Sequence, residues 1–180
     1  GIAGSGIGMD KILSKIFFAG LGLDILPYTY ITRKQYMFAQ LDTLLKIEKE
    51  LEYPVIVKPC MLGSSIGISK CASRGELAEA IEVAMRFDSR IIIEKAADDF
   101  IEINCSALKI NGEIKTSECE KPVNWRDFLK FEDKYCGGSK GMADAKRIFP
   151  ANIEKNVSDK IKEITALIYE KLDLKGVIRA

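Results

Sequence analysis

"VIVKPCMLGSSIGISK", residues 55–70, sets a compact β-branched run ending in a lysine and a proline before a short loop that holds one glycine and two serines, then a second β-like run. Branched aliphatic residues suit a pleated, half-buried strand, and Pro59 stops the first run because it cannot donate to a ladder. The two runs can pair as a hairpin around "CMLGSS". Lys58, at the end of the first run, has its stem held among apolar neighbours and its ammonium aimed above the sheet, where it needs an anion. Gly63, Ser64 and Ser65 let backbone N–H groups turn toward one point and add two hydroxyl donors, which is the physics of a phosphate cradle. Glycine and serine are also ordinary turn residues, so a plain surface hairpin competes for this stretch taken alone.

Working outward, Ile12, Leu13, Ile16 and Phe17 recur at helical spacing between Met9 and about Ala19, with Asp10 near the start and Gly20 and Gly22 at the end. "ILPYTYIT" reads as a strand, and Thr32 can cap a helix running to about Leu51 with Tyr36, Met37, Leu41, Leu44 and Leu45 on its inner side. Ser73 with Glu76 forms a capping box for a helix to about Phe87, after which "RIIIEKA" is a strand. "EINCSALKI" and "EIKTSEC" meet at Asn111-Gly112, a strong hairpin signal. Residues 120–150 are charged, glycine-bearing and weakly periodic, the pattern of a long functional loop. A last helix spans about Ile153 to Leu172, and "KGVIRA" begins a strand. Hairpins with helices packed on them make the fold class α+β.

Composition narrows the chemistry. With 180 residues, 47% of them hydrophobic, the chain can bury a core, and a formal charge of +1 gives no net field for nucleic acid or an anionic membrane. Apolar runs are broken by charge far short of the roughly 20 residues of a membrane span, and no signal-peptide pattern opens the chain, so the cytoplasm is the expected compartment. The five cysteines, Cys60, Cys71, Cys105, Cys119 and Cys136, lack any C-x-x-C pair and read as reduced thiols. There is no histidine. Within this chain that removes Ser-His-Asp, Cys-His and His-zinc mechanisms, leaving Lys, Arg, carboxylates, Tyr, Ser and backbone amides.

The order of "MDK", "VIVKP" with "GSSIG", "IIIEKA", "EINCSAL", "FEDKY" and the terminal "GVIR" resembles the D-alanine-D-alanine ligase family of the ATP-grasp fold, over essentially the whole chain. The resemblance implies antiparallel sheets with packed helices and a nucleotide between two subdomains. Residues 1–97 would form the first part with the phosphate loop, and 98–180 the second with the lid loop 120–150. It further implies that Lys11 and Lys58 contact phosphates, and that Gly63, Ser64 and Ser65 lie in the loop over the nucleotide, Ser64 also near the second D-alanine. Glu94, Lys95 and Ala97 match the hinge beside adenine. Glu102 matches the carboxylate that holds the ribose hydroxyls, although "AADDFIE" is one residue longer than the usual turn. Lys134 and Tyr135 match the lid lysine and tyrosine that reach the γ-phosphate and the second substrate, and Arg179 matches the arginine that stabilises charge at the reacting carbonyl. The plain alternatives are a solvated helix lysine for Lys11, a snorkelling strand-end lysine for Lys58, and a solvent-facing ion pair for Glu94 with Lys95.

The reaction so implied has the carboxylate of one D-alanine attack the γ-phosphate of ATP, after which the amine of a second displaces phosphate from the acyl phosphate. Fixed Lys, Arg and Mg²⁺ would stabilise the negative charge of both steps. The family's metal ligands, an aspartate and a Glu-x-Asn pair, fall after Ala180. The expectation is therefore a central piece of a ligase that folds, binds nucleotide and does not turn over by itself. Family members commonly form dimers, so a homodimeric parent is expected. Leu129 and Phe131 stand where the family often has tyrosines, which keeps open a vancomycin-resistance-type ligase using D-serine or D-lactate. A non-catalytic nucleotide-binding module and a bare α+β scaffold are the remaining alternatives.

Overall fold

The computed structural model describes residues 2–122 and 147–180. It divides into two compact units, Ile7–Asp99 and, in the other, the residues before Ile7 together with Phe100–Ala180.

In the Ile7–Asp99 unit, four strands form one antiparallel sheet in the order β1-β4-β2-β3, with β1 Tyr28–Thr32, β2 Val55–Pro59, β3 Ser69–Cys71 and β4 Arg90–Lys95. Alternation along β2 and β4 explains why both faces are used. Val55, Val57, Ile91 and Ile93 point into the main core with Ile31, Tyr36, Leu44, Ile47, Leu77 and Ile81. That face is covered by α3 Arg33–Phe38, α4 Gln40–Glu50 and α5 Arg74–Met85. On the opposite face Ile92 and Tyr28 pack with Cys60 and with Ile12 of α2 Lys11–Gly20.

The predicted hairpin around residues 60–68 is present, with Val55 opposite Cys71 and Val57 opposite Ser69. Its second strand starts later than Ile66, because Ile66 and Ile68 are consumed in turns onto the carbonyls of Gly63 and Ser65. The predicted caps form. Thr32 and Gln35 make a reciprocal capping box, and Ser73 accepts from the Glu76 amide, whereas the Glu76 carboxylate reaches back to the amide of Ala72. Helix α2 closes on a Schellman pattern, with Gly22 at φ +73° and the Leu23 amide bonded to the Phe18 carbonyl.

Two elements depart from the sequence reading. The helix expected from Arg33 to Leu51 is two helices, broken at Ala39 (φ −144°, ψ 65°). The break lets Tyr36, Leu44 and Ile47 share one core while Met37, Leu41 and Leu45 stay exposed. No glycine or proline marks it, and the Tyr36 hydroxyl instead accepts from Gln40 across it. The second departure is α1 Ile2–Met9, whose three glycines argue against a helix on propensity alone.

In the other unit β5 Ser106–Ile110 lies between β6 Glu113–Thr116 and β9 Ile178–Arg179. Asn111 (φ 50°) and Gly112 (φ 87°) make the two-residue, doubly left-handed turn that matches strand twist. Helix α6 Lys155–Lys171 packs on β5 and β6, burying Thr165, Ile168 and Tyr169 with Cys105, Ala107 and Cys119. A two-stranded pair, β7 Lys121–Pro122 and β8 Arg147–Ile148, brackets the segment read as a lid. Among the described residues all four cysteines are free and buried.

Candidate nucleotide-binding site

The face of the sheet under α2 carries a cluster of charge. Lys58 sits opposite Ile92 and reaches diagonally to Glu94, one pair further along, where their ammonium and carboxylate meet at Oε2. Lys15 of α2 approaches the other oxygen, Oε1, at 3.4 Å. Glu94 is 5% exposed, so its charge is sustained by these two cations. Tyr28 stands directly across from Glu94 on β1, and the Lys15 ammonium lies 5.2 Å above the centre of its ring.

Lys11 lies one helical turn before Lys15. Its ammonium donates to the carbonyls of Pro59 (3.1 Å), Cys60 (3.3 Å) and Leu62, which form the root of the loop after β2. Burial, and next the nearby Lys58 charge, hold its pKa below the ordinary lysine value.

The loop itself is backbone-strained. Ser64 (φ 53°) and Ser65 (φ 59°) both occupy the left-handed region, uncommon for residues with a Cβ and concentrated at functional sites. The glycine the loop depends on is Gly67 (φ +68°), where a Cβ would lie 2.9 Å from both Phe87 and Pro59; Gly63 has open space around it.

Beneath this cluster Asp10 anchors α2. Its carboxylate caps the helix by accepting from the amides of Ile12 and Leu13, each at 3.0 Å. It also accepts from the Cys60 thiol at 2.9 Å and pairs with Arg90 at the start of β4. Burial alone would raise its pKa, but the bonds from Cys60, Leu13 and Arg90 outweigh that and bring it down to about 2. The same pairing, after burial itself, pushes the Cys60 thiol up.

The structure thus brings Lys11, Lys58 and Glu94 together beside the loop of Gly63, Ser64 and Ser65, all in one unit. Glu94 is no solvent-facing partner of Lys95, whose ammonium turns away to the carbonyls of Glu52 and Tyr53 at 3.0 Å each. Ala97 lies two residues past the end of β4. Glu102 and Arg179 belong to the other unit. Arg179 is an exposed β9 residue 3.9 Å from Glu120, which also meets Arg147 and Asn104. Lys134 and Tyr135 lie outside the described residues. A depression of about 610 Å³ lined by Arg33, Met37, Phe38 and Arg90 sits at the other end of β4 and holds none of the candidate residues.

Lys15 and Tyr28 were not singled out from sequence, and Asp10 was noted only as a helix-start residue. Lys15 carried a usable signal, since its i+4 spacing from Lys11 puts both lysines on one face of the helix.

Comparison with known proteins bears on this arrangement. The family described as D-ala D-ala ligase C-terminus matches residues 17–180. The D-alanine--D-alanine ligase of Thermosipho africanus is 36% identical over 171 residues, covering 95% of this chain and 45% of that protein. That of Geobacillus kaustophilus is 36% identical over 180 residues, covering 99% and 47%. Among solved structures, the VanG D-Ala:D-Ser ligase from Enterococcus faecalis superposes with a TM-score of 0.79 at 28% identity over 98% of this chain and 48% of that one. The D-alanyl-alanine synthetase A from Vibrio cholerae shares the fold at a TM-score of 0.81 and 24% identity, over 99% and 52%. The chain spans about half the length of the curated relatives it matches. With the family match running from α2 through β9, across every strand that carries a candidate residue, this chain belongs to the D-Ala–D-Ala ligase C-terminal family.

Proposed function

We propose that the chain is the ATP-binding portion of a D-alanine–D-alanine ligase, an ATP-dependent ligase that joins two D-alanines for peptidoglycan synthesis. The observation that carries this reading is the convergence of Lys11, Lys15, Lys58 and Glu94 on one sheet face, next to a loop whose two serines are held in left-handed backbone. Lysine ammonium groups beside hydroxyls and turned backbone amides suit a polyphosphate. A buried carboxylate at the strand end suits the donor edge of a base.

In this reading Lys58 and the Ser64–Ser65 loop hold the phosphates. Lys11 acts first as a strut for the loop root, and it meets a phosphate only by exchanging at least one of its three carbonyls. Ala97 and Lys95 contribute backbone beside adenine, and Glu102 accepts from the ribose. The carboxylate oxygen of the first D-alanine bonds to the γ-phosphorus as the bond to ADP breaks. The amine of the second D-alanine then bonds to the carbonyl carbon, loses a proton and expels phosphate. Arg179 stabilises the oxyanion of that second step, with Lys134, Tyr135 and Ser64 positioning the γ-phosphate and the acceptor. Among the described residues no group of three or more His, Cys, Asp or Glu could hold a metal ion. No step is assigned to Mg²⁺ within this chain.

The test offers D-alanine alone, and D-alanine together with D-serine or with D-lactate, to the ligase that contains this chain and measures ATP-dependent phosphate release and the dipeptide or depsipeptide formed. D-alanyl-D-alanine as the main product supports the proposal, and a preference for D-serine or D-lactate replaces it. The 180 residues alone should bind nucleotide and form no dipeptide. Dipeptide from them would contradict their being only a portion of the enzyme.

A further inference from the structure

Glu94 carries two counter-ions where one would neutralise it. Lys58 occupies Oε2 and Lys15 approaches Oε1 at 3.4 Å, with side-chain exposures of 22%, 15% and 7% for Lys58, Lys15 and Glu94. Lys58 is therefore engaged before any ligand arrives. For its ammonium to serve an anion, the pair with Glu94 has to loosen, and a buried carboxylate stripped of its partner is strongly unfavourable.

We propose that Lys15 is a positioning residue that keeps Glu94 compensated, so that Lys58 can leave the carboxylate for the anionic part of a nucleotide. The inference rests on the nucleotide reading above and adds a residue and a step to it. Lys15 is built for a fixed role. Besides Glu94 it donates to the Leu26 carbonyl at 3.3 Å and lies over the Tyr28 ring, and Tyr28 is itself the cross-strand partner of Glu94. Helix α2, which carries it, is anchored by the Asp10 cap and the Asp10–Arg90 pair. The neighbouring cations are otherwise committed. Lys95 is on the carbonyls of Glu52 and Tyr53, and Lys11 is on the loop root. Lys58 differs from Lys15 in standing one residue before the end of β2, next to the start of the loop. Of the two cations on Glu94, it is the one placed to swing toward the loop.

The experiment measures dissociation constants by titration calorimetry on the 180-residue chain for ATP, for inorganic tripolyphosphate as the anion alone, and for adenosine as the base alone. The proteins are wild type, Lys15→Met, Lys15→Arg and the double variant Lys15→Met/Glu94→Gln. Without Lys15, the carboxylate holds Lys58 more tightly. Lys15→Met should then weaken ATP and tripolyphosphate about tenfold and leave adenosine within threefold of wild type. Lys15→Arg should restore both anions. Glu94→Gln should recover tripolyphosphate binding in the Lys15→Met background, because no charged carboxylate is left to retain Lys58.

A tripolyphosphate loss of less than threefold in Lys15→Met overturns the inference. So does a loss that Glu94→Gln fails to recover, which would make Lys15 a direct phosphate contact, or an equal loss for adenosine, which would make its role general to the fold. If Lys15→Met fails to unfold cooperatively, Lys15→Gln takes its place under the same criteria. Wild-type chain that binds neither ATP nor tripolyphosphate overturns the nucleotide reading together with this inference. Wild-type binding with an unaffected Lys15→Met overturns this inference alone.

Discussion

Replacing Asp10 by asparagine should cost about 2.5 kcal/mol of stability at neutral pH, and the loss should fade in acid. The magnitude follows from the folded-state pKa of about 2 against an ordinary aspartate value of 3.8, because each unit of separation is worth about 1.4 kcal/mol. Asp10 is 3% exposed, so solvent screening removes little of this. Asparagine still caps a helix well, so the amides of Ile12 and Leu13 keep an acceptor and the loss isolates the charge shared with Arg90 and Cys60. Asp10→Ala also removes the cap and should lose roughly 1 kcal/mol more. The sign is fixed by the direction of the shift. A carboxylate with a depressed pKa stabilises above its unfolded value and loses that contribution as pH falls through the folded one. The gap between wild type and Asp10→Asn should hold from pH 7 to about 5, be about half as large at pH 3, and close below about 2. Urea unfolding at a series of pH values reads it directly. A gap under 0.5 kcal/mol at pH 7, or one that does not change down to pH 3, would refute the reasoning.

Other outcomes follow from the same geometry. Gly67→Ala should lower stability by about 2 kcal/mol, since it meets a left-handed φ together with Phe87 and Pro59, while Gly63→Ala should stay within about 0.5 kcal/mol; thermal unfolding of both variants decides. Ile93→Ala, at a site with no exposure, should cost about 3–4 kcal/mol in urea unfolding. Lys58→Met alone should cost under about 1 kcal/mol because Lys15 still pairs with Glu94. Lys15→Met/Lys58→Met should cost about 3 kcal/mol or more, well beyond the sum of the singles, and a double-mutant cycle that came out additive would show that the two lysines do not share one carboxylate.

Much of the fold was legible because its signals are local. The β2–β3 hairpin, the Asn111-Gly112 turn and the caps at Thr32 and Ser73 each depend on residues within a few positions of one another. Lys58 announced itself for the same reason, as a charge at the end of an apolar run. What sequence did not disclose depends on distant partners. Asp10 reads as an ordinary cap until Arg90, eighty positions away, is placed against it. A surface pair was the plain alternative for Glu94 and Lys95, but strand alternation sends one under α2 and the other to the carbonyls before β2. Gly63 drew notice as the glycine beside two serines, yet the conformational demand falls on Gly67 and on the serines themselves. The break at Ala39 serves packing of Tyr36 with Leu44 and Ile47, and no residue at the break signals it.

The central claim, a polyphosphate site formed by Lys58 and the loop after β2, is tested most directly by thermal unfolding of the chain with ATP, ADP and GTP, in wild type and in Lys58→Ala. A ligand present at 100 times its dissociation constant and bound only by the native state adds about 2.7 kcal/mol, a rise of roughly 5–10 °C for a chain of this size. The account predicts such a rise with ATP and ADP, a smaller one with GTP, and its loss in Lys58→Ala. No rise with any nucleotide, or one that survives the loss of Lys58, would contradict it.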